Sequence, residues 1–207
     1  MTERPIIFSG PMIPPILADT KTQTRRVVKP RADRDFGPRC RLQPHEIAGE
    51  INAGDLRNSV YGFPGDRLWV RETWARDDED GALMYRADVG CDDDANAWER
   101  GRIEGVSRYR WRPSIHMPRW ASRITLEITD VRVERLQEIS EADARAEGVY
   151  PYMPGEGVIH PPRFADDYQY RPNYREGFEI VWQSIHGDGS WSANPLVWVV
   201  GFKRIAA

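Results

Sequence analysis

The chain is poor in cysteine and histidine and has no long apolar run, and each shortage removes a class of function. Only two cysteines occur among 207 residues, Cys40 and Cys91. They form no Cys-x-x-Cys pair, so neither a zinc knuckle nor a disulfide framework is supported. The four histidines, His45, His116, His160 and His186, are scattered, with no His-x-x-x-His or Cys/His clustering. No metal site and no cofactor is expected from them. No charged-then-apolar leader and no membrane-length apolar stretch is present, so a soluble cytoplasmic protein without a membrane partner is expected.

A global excess of positive charge is also missing. Lys and Arg total 29 against 32 Asp and Glu, a formal net charge of −3. The chain as a whole therefore carries no basic signature for nucleic acid, and any such attraction has to be local. Local unevenness is present. The segment 21–42 is basic, with Lys21, Arg25, Arg26, Lys29, Arg31, Arg34, Arg39 and Arg41. The segment 77–94 is acidic, but it lacks the glycine and glutamate spacing of a calcium loop and reads as solvated. No internal repeat is found. The length suffices for one real core, so a single domain over 1–207 is expected, with insertions at about 30–60, 88–112 and 149–173.

Apolar patterning gives mostly strands. Pro5 to Phe8 and Thr22 to Val28 read as short strands, and Arg67 to Thr73 as a third with Leu83 to Ala87 as its hairpin partner. Ser122 to Arg135 carries the longest strand signal, with Ile124, Leu126 and Ile128 alternating with Thr125, Glu127 and Thr129. Leu196 to Ile205 closes the series. Helices are fewer. Gly10 to Asp19 is limited by Pro14 and Pro15. Ser140 to Glu147 starts on a capping pattern and ends at Gly148. Tyr174 to Ile185 places Phe178, Val181, Trp182 and Ile185 at helical spacing. A weak helical stretch lies near 94–100, and 30–60 reads as irregular. This balance fits an α+β chain built on a small closed barrel.

The densest chemistry is Lys21-Thr22-Gln23-Thr24-Arg25-Arg26, between a short helix and a strand. On a strand Thr22, Thr24 and Arg26 share one face, and Gln23 and Arg25 the other. Two readings are open. The bland one is a solvated basic edge that discourages aggregation. The functional one is a cleft in which Lys21, with a carboxylate from elsewhere, activates a threonine hydroxyl.

Three further motifs follow in order: Gly65-Asp66-Arg67-Leu68-Trp69-Val70-Arg71-Glu72, then Leu136 through Gly148, then Asn194-Pro195-Leu196-Val197-Trp198. With the Lys-Thr-x-Thr-x-Arg entry, their order resembles the ASCH domain family, a branch of the PUA-like folds, and in particular its longer phage and prophage members. The resemblance implies a mostly antiparallel PUA-like β-barrel with short flanking helices and long loop insertions. It also implies a phage or prophage origin in a bacterial cytoplasm. The partners it implies are RNA, single-stranded nucleic acid or a modified nucleoside. Small bacterial members hydrolyse N4-acetylcytidine through a Lys, a Thr three residues on, and a Glu in a later helix. Those positions match Lys21, Thr24 and Glu147. In that scheme Thr24 attacks, Lys21 takes its proton, and Glu147 orients Lys21 or shuttles the proton. The same resemblance leaves a non-catalytic nucleic-acid reader and a metal-independent ribonuclease as alternatives.

Arg25 and Arg26 supply positive charge near Lys21 or contact phosphate. Arg71 and Glu72 are secondary candidates, with Glu72 a carboxylate for an Arg such as Arg25. Eight tryptophans occur, and most sit in core-like patterns, Trp69, Trp74, Trp111, Trp120, Trp182 and Trp198 among them. The Trp111 to Trp120 segment, with Arg112 and Arg119, reads either as a base-stacking loop or as a clasp on one end of the barrel. Asn194 reads either as a base contact or as a turn former.

Overall fold

The computed structural model describes residues 1–77, 80–88, 110–150 and 173–205. The helical stretch read at 94–100, and most of the insertions at 88–112 and 149–173, lie outside them. One mixed sheet organises the rest. Its strands are β1 (Glu3–Ile7), β2 (Gln23–Val27), β5 (Arg67–Arg71), β8 (Thr125–Arg135) and β9 (Leu196–Ile205), in the order β1-β5-β8-β9-β2. Only β1 and β5 run parallel; the other three pairings are antiparallel. The α+β class and the mostly antiparallel sheet agree with the sequence reading. The closed barrel does not. Among the described residues no backbone ladder joins β1 to β2, and a side chain spans that gap instead: Arg26 Nη2 donates to the Ile7 carbonyl at 2.7 Å.

The segment 30–60 is not irregular. It holds a hairpin, β3 (Arg31–Asp33) with β4 (Gly37–Leu42), and the helix α2 (Pro44–Asn52). The helix starts on a capping box between Gln43 and Glu46, with Pro44 in its first turn. Ile47 and Ile51, one helical turn apart, are buried and join Leu42 in the main core. Leu83 also differs from expectation. Strand β7 (Leu83–Tyr85) pairs with β6 (Trp74–Arg76) in a separate two-stranded sheet and not with β5.

The main core lies on one face of the sheet, under α2 and the short helix α1 (Ile13–Leu17), around Phe8, Leu68, Leu126, Val133, Trp198 and Phe202. Its continuity depends on a bulge. Ile128 pairs with Phe202 and Asp130 with Gly201, which leaves Thr129 as the extra residue. Ile124, Leu126 and Ile128 face the core before it, and Val131 and Val133 after it. Asp130, Arg132 and Glu134 therefore turn to the opposite face. There β8, β9 and β2 are covered by α3 (Glu141–Ala146) and α4 (Tyr174–His186) over a second core of Leu136, Ala144, Phe178, Trp182, Val197 and Val199. Glu141 locks the two helices by accepting from the Tyr174 and Arg175 amides at 2.8 and 3.2 Å. On α4, Phe178 and Trp182 are buried, whereas Ile185 is half exposed.

After α3 the chain turns at Gly148, whose φ is +74°. A Cβ there would stand 2.8 Å from the Lys21 Cβ and 3.0 Å from the Pro15 Cβ. Side-chain crowding and a left-handed backbone both require glycine. Gly148→Ala is expected to destabilise the protein by about 1–3 kcal/mol, read as a lower urea midpoint with an unchanged slope.

Candidate functional site

The Lys21 segment is stitched to three elements. Thr20 and Lys21 both donate backbone N–H to the Pro15 carbonyl of α1, at 2.9 and 3.0 Å, around Asp19 with a φ of 56°. Thr22 donates to the Ala146 carbonyl at the end of α3, and its own carbonyl accepts from Phe202 of β9, both at 2.8 Å. Lys21 is thereby carried under α3, with its side chain 1% exposed. Its ammonium donates to Glu147 twice, to Oε2 at 2.7 Å and to the backbone carbonyl at 2.8 Å. Glu147 is the C-cap of α3. Lys21 thus places a cation on a carbonyl at a helix C-terminus, where the helix dipole favours positive charge. This also offsets the mild penalty of an anion at that end.

Arg25 completes the group. On β2, Gln23, Arg25 and Val27 pair with Gly201, Val199 and Val197, so they face the helices, while Thr24 and Arg26 pair with Val200 and Trp198 and face the main core. The Arg25 side chain is fully buried. It reaches Glu147 Oε1 at 3.2 Å, Glu134 Oε1 at 2.5 Å and Asp143 Oδ2 at 3.5 Å. Glu134 lies two strands away, and the reach is open because only Val197 and Val199 stand between on β9. Arg132 ties the outer side, with contacts to Asp130, Glu134 and Asp143 at 2.9 to 3.2 Å. Three cations thus interleave with four carboxylates. Two buried polar atoms in this region, Arg25 Nε and Gln23 Nε2, have no hydrogen-bond partner.

Burial pushes the Lys21 ammonium below the usual lysine range, with Arg26 and Arg25 pushing the same way and Glu147 opposing. For Asp143 burial acts upward, but the Ser140 hydroxyl, Arg25 and Arg132 prevail, so its carboxyl is held below the ordinary value.

A cleft of about 760 Å³ opens beside this network. It is lined by Thr20 and Thr22, which flank Lys21, and by Ala146 and Gly148, which flank Glu147. The paired side chains lie beneath its wall. Asp19, Arg145, Tyr150 and Tyr174 supply charge and aromatic surface around it. Thr24 is 2% exposed, and no hydrogen bond joins it to Lys21.

The remaining candidates lie apart from this group. Arg26 sits over the Phe8 ring at 5.5 Å. Glu72 does not pair with Arg25. It is bound by Arg123 at 2.9 and 3.1 Å, beside Asp88, and burial raises its pKa against the pull of Arg123. Arg71 lies over Trp69 and donates to the Ile115 carbonyl. Arg119 binds Glu3 and Thr125. Trp111 is half-buried beside the Arg112–Trp74 bridge, and Trp120 is exposed rather than core. Asn194 has a φ of 43°, and its side chain accepts from the Gln137 amide, so it shapes the turn into β9. Glu134, Asp143 and Arg132 are the residues that motif reading missed. The alternation of Asp130, Arg132 and Glu134 after the interruption at Thr129 was the available signal. No group of three potential metal ligands gathers among the described residues. Nor is any helix among them long and apolar enough to cross a membrane.

A scan against protein-family models finds no match, and searches of curated proteins and of solved structures find none.

Two outcomes are expected from this geometry. Glu147→Gln should cost about 3–5 kcal/mol, because it strands buried cations, whereas Lys21→Met with Glu147→Leu should recover most of the loss. Denaturant titrations of the three proteins check this. The depressed Asp143 carboxyl stabilises the fold above its unfolded value of 3.8, and that contribution is lost as the pH falls through the lower folded value. Stability measured from pH 5 down to pH 2.5 should fall less steeply in Asp143→Asn than in wild type.

Proposed function

We propose that this is a PUA-like protein of the ASCH type that hydrolyses N4-acylated cytidine, free or within RNA, from the cleft beside Lys21. The observation that carries the reading is the buried Lys21. Its ammonium is held against Glu147 directly behind the cleft wall, and burial eases the loss of its proton. The Lys-Thr-x-Thr-x-Arg entry and the later motifs that resemble the family support the assignment.

In this reading the substrate displaces Lys21 from Glu147. Substrate entry also turns Thr24 from the main-core face of β2 toward the cleft, and neutral Lys21 takes its hydroxyl proton as Oγ1 bonds to the acyl carbon. The Lys21 proton then passes to N4 as the C–N bond breaks, which releases cytidine and leaves an acyl-threonine. Water attacks that ester, frees the carboxylic acid and restores Thr24. Arg25 holds the Glu147 carboxylate in place during the exchange.

A second reading has its own support. Both hydrogen bonds of the Lys21 ammonium go to Glu147, and Thr24 faces the other side of β2. The network would then serve as a rigid anchor behind a cleft that reads a modified base or single-stranded RNA without turning it over.

Acetate release from N4-acetylcytidine separates the two. Wild type is expected to turn over, and Thr24→Ala to lose about 100- to 10,000-fold in kcat with an unchanged melting temperature. Full activity in Thr24→Ala would remove it as nucleophile. No turnover by wild type, with the nucleoside still bound, would leave the reader.

A further inference from the structure

Far from the helices, the outer surface of β1 and β5 bears a different chemistry. Inward residues Leu68 and Val70 are buried, so Arg67, Trp69 and Arg71 point outward beside Pro5 and Ile7 of β1. No helix covers this face among the described residues. The turns at 114–116 and 119–121 border it, and they present Ile115 at 57% and Trp120 at 62% exposure.

Trp120 is exposed but not loose. Its ring meets the buried Trp74 at 5.7 Å and an interplanar angle of 86°. Pro118 precedes its turn, and the Ser122 amide closes that turn on the Arg119 carbonyl. Arg112 lies over the other tryptophan of the pair, Trp74, at 5.0 Å. An indole fixed this way loses little freedom when a planar group stacks on it.

Charge on this surface is also unbalanced. Arg67, Arg71, Arg112, Arg119 and Lys203 stand against Glu3 and Glu127, and those two carboxylates are already engaged by Arg119 and Lys203. Arg71 and Arg112 have no carboxylate partner among the described residues. Arg71 Nε is buried without a hydrogen bond.

We propose that Trp120, with Trp69, Arg71 and Arg112, forms a platform for single-stranded nucleic acid. Bases stack on Trp120, and phosphates take Arg71 and Arg112, which meet no carboxylate among the described residues. Arg67 and Arg71 stand about 13 Å apart along β5, which suits a ligand that repeats its charge along its length. An acidic peptide would use the arginines but leave the exposed indole without a planar partner. The proposal does not rest on the cleft reading, since these residues touch neither Lys21 nor Glu147.

Fluorescence anisotropy with labelled twelve-nucleotide oligouridylate and oligothymidylate tests it. Wild type should bind at low salt and weaken steeply as salt rises. Trp120→Ala should weaken binding at least tenfold with an unchanged melting temperature, and Trp120→Phe should restore part of it. Arg112→Gln should reduce the salt slope by about one. Arg57→Gln, a loss of charge elsewhere, should change neither. Wild-type affinity in Trp120→Ala, absence of binding by wild type at low salt, or equal competition by polyglutamate of matching length would each overturn the platform. Acetate release from the free nucleoside contains no polymer, so failure of either reading is seen separately.

Discussion

Glu147 is the residue on which the arrangement turns. Its carboxylate holds a lysine on one oxygen and an arginine on the other, and its carbonyl takes the lysine a second time. Charges in so dry a place attract strongly but lose their hydration, so such a group stabilises only when nearly every contact is made. The contacts come from the turn after α1 and from β2, β8 and α3 together. A one-residue slip of β2 would send Arg25 into the apolar core and Thr24 toward the carboxylates. The ion network therefore fixes the register of the edge strand as well as the seat of the helix.

The bulge at Thr129 has a similar reach. Without the extra residue, Val131 and Val133 would face the helices, and Arg132 would enter the main core. With it, one long strand contributes apolar residues to one core throughout and a charged row to the other face only in its second half. Gly201 of β9 sits opposite, where a Cβ would come 2.9 Å from Thr129 Oγ1. The position of the charge network along the sheet is thus set by one inserted residue and one missing side chain.

Much of this was legible in the sequence, and the misses have physical causes. The alternation in Gln23 to Val27 separated Arg25 from Thr24 and Arg26, as the pairing with β9 shows. The strand reading of Ser122 to Arg135 passed over the break between Ile128 and Val131, where the bulge falls. Helix α3 was visible from Ser140 and Gly148. Contacts between distant segments were not visible. Lys21 and Glu147 are 126 residues apart, and their association came from a family frame, not from spacing. Glu72 was matched to Arg25 because nothing local told it from Glu134; in space Arg123 is its neighbour. The 30–60 segment looked irregular because its Arg, Pro and Gly content masked a capping box followed by Ile47 and Ile51. An open sheet and a closed barrel have the same strand patterns, and only the pairing at the edges separates them.

The pairing of β2 with β9 has a temporal consequence. Strand β2 is made well before β9 (Leu196–Ile205), its one ladder partner among the described residues. At about 5–20 residues per second, a ribosome needs roughly ten to forty seconds to cover that interval. For most of it Lys21 and Arg25 lack Glu147 and its helix, and for all of it they lack their neighbouring strand. The basic segment is emitted as a hydrated, extended cation, and it becomes a buried one only after β9 has been made.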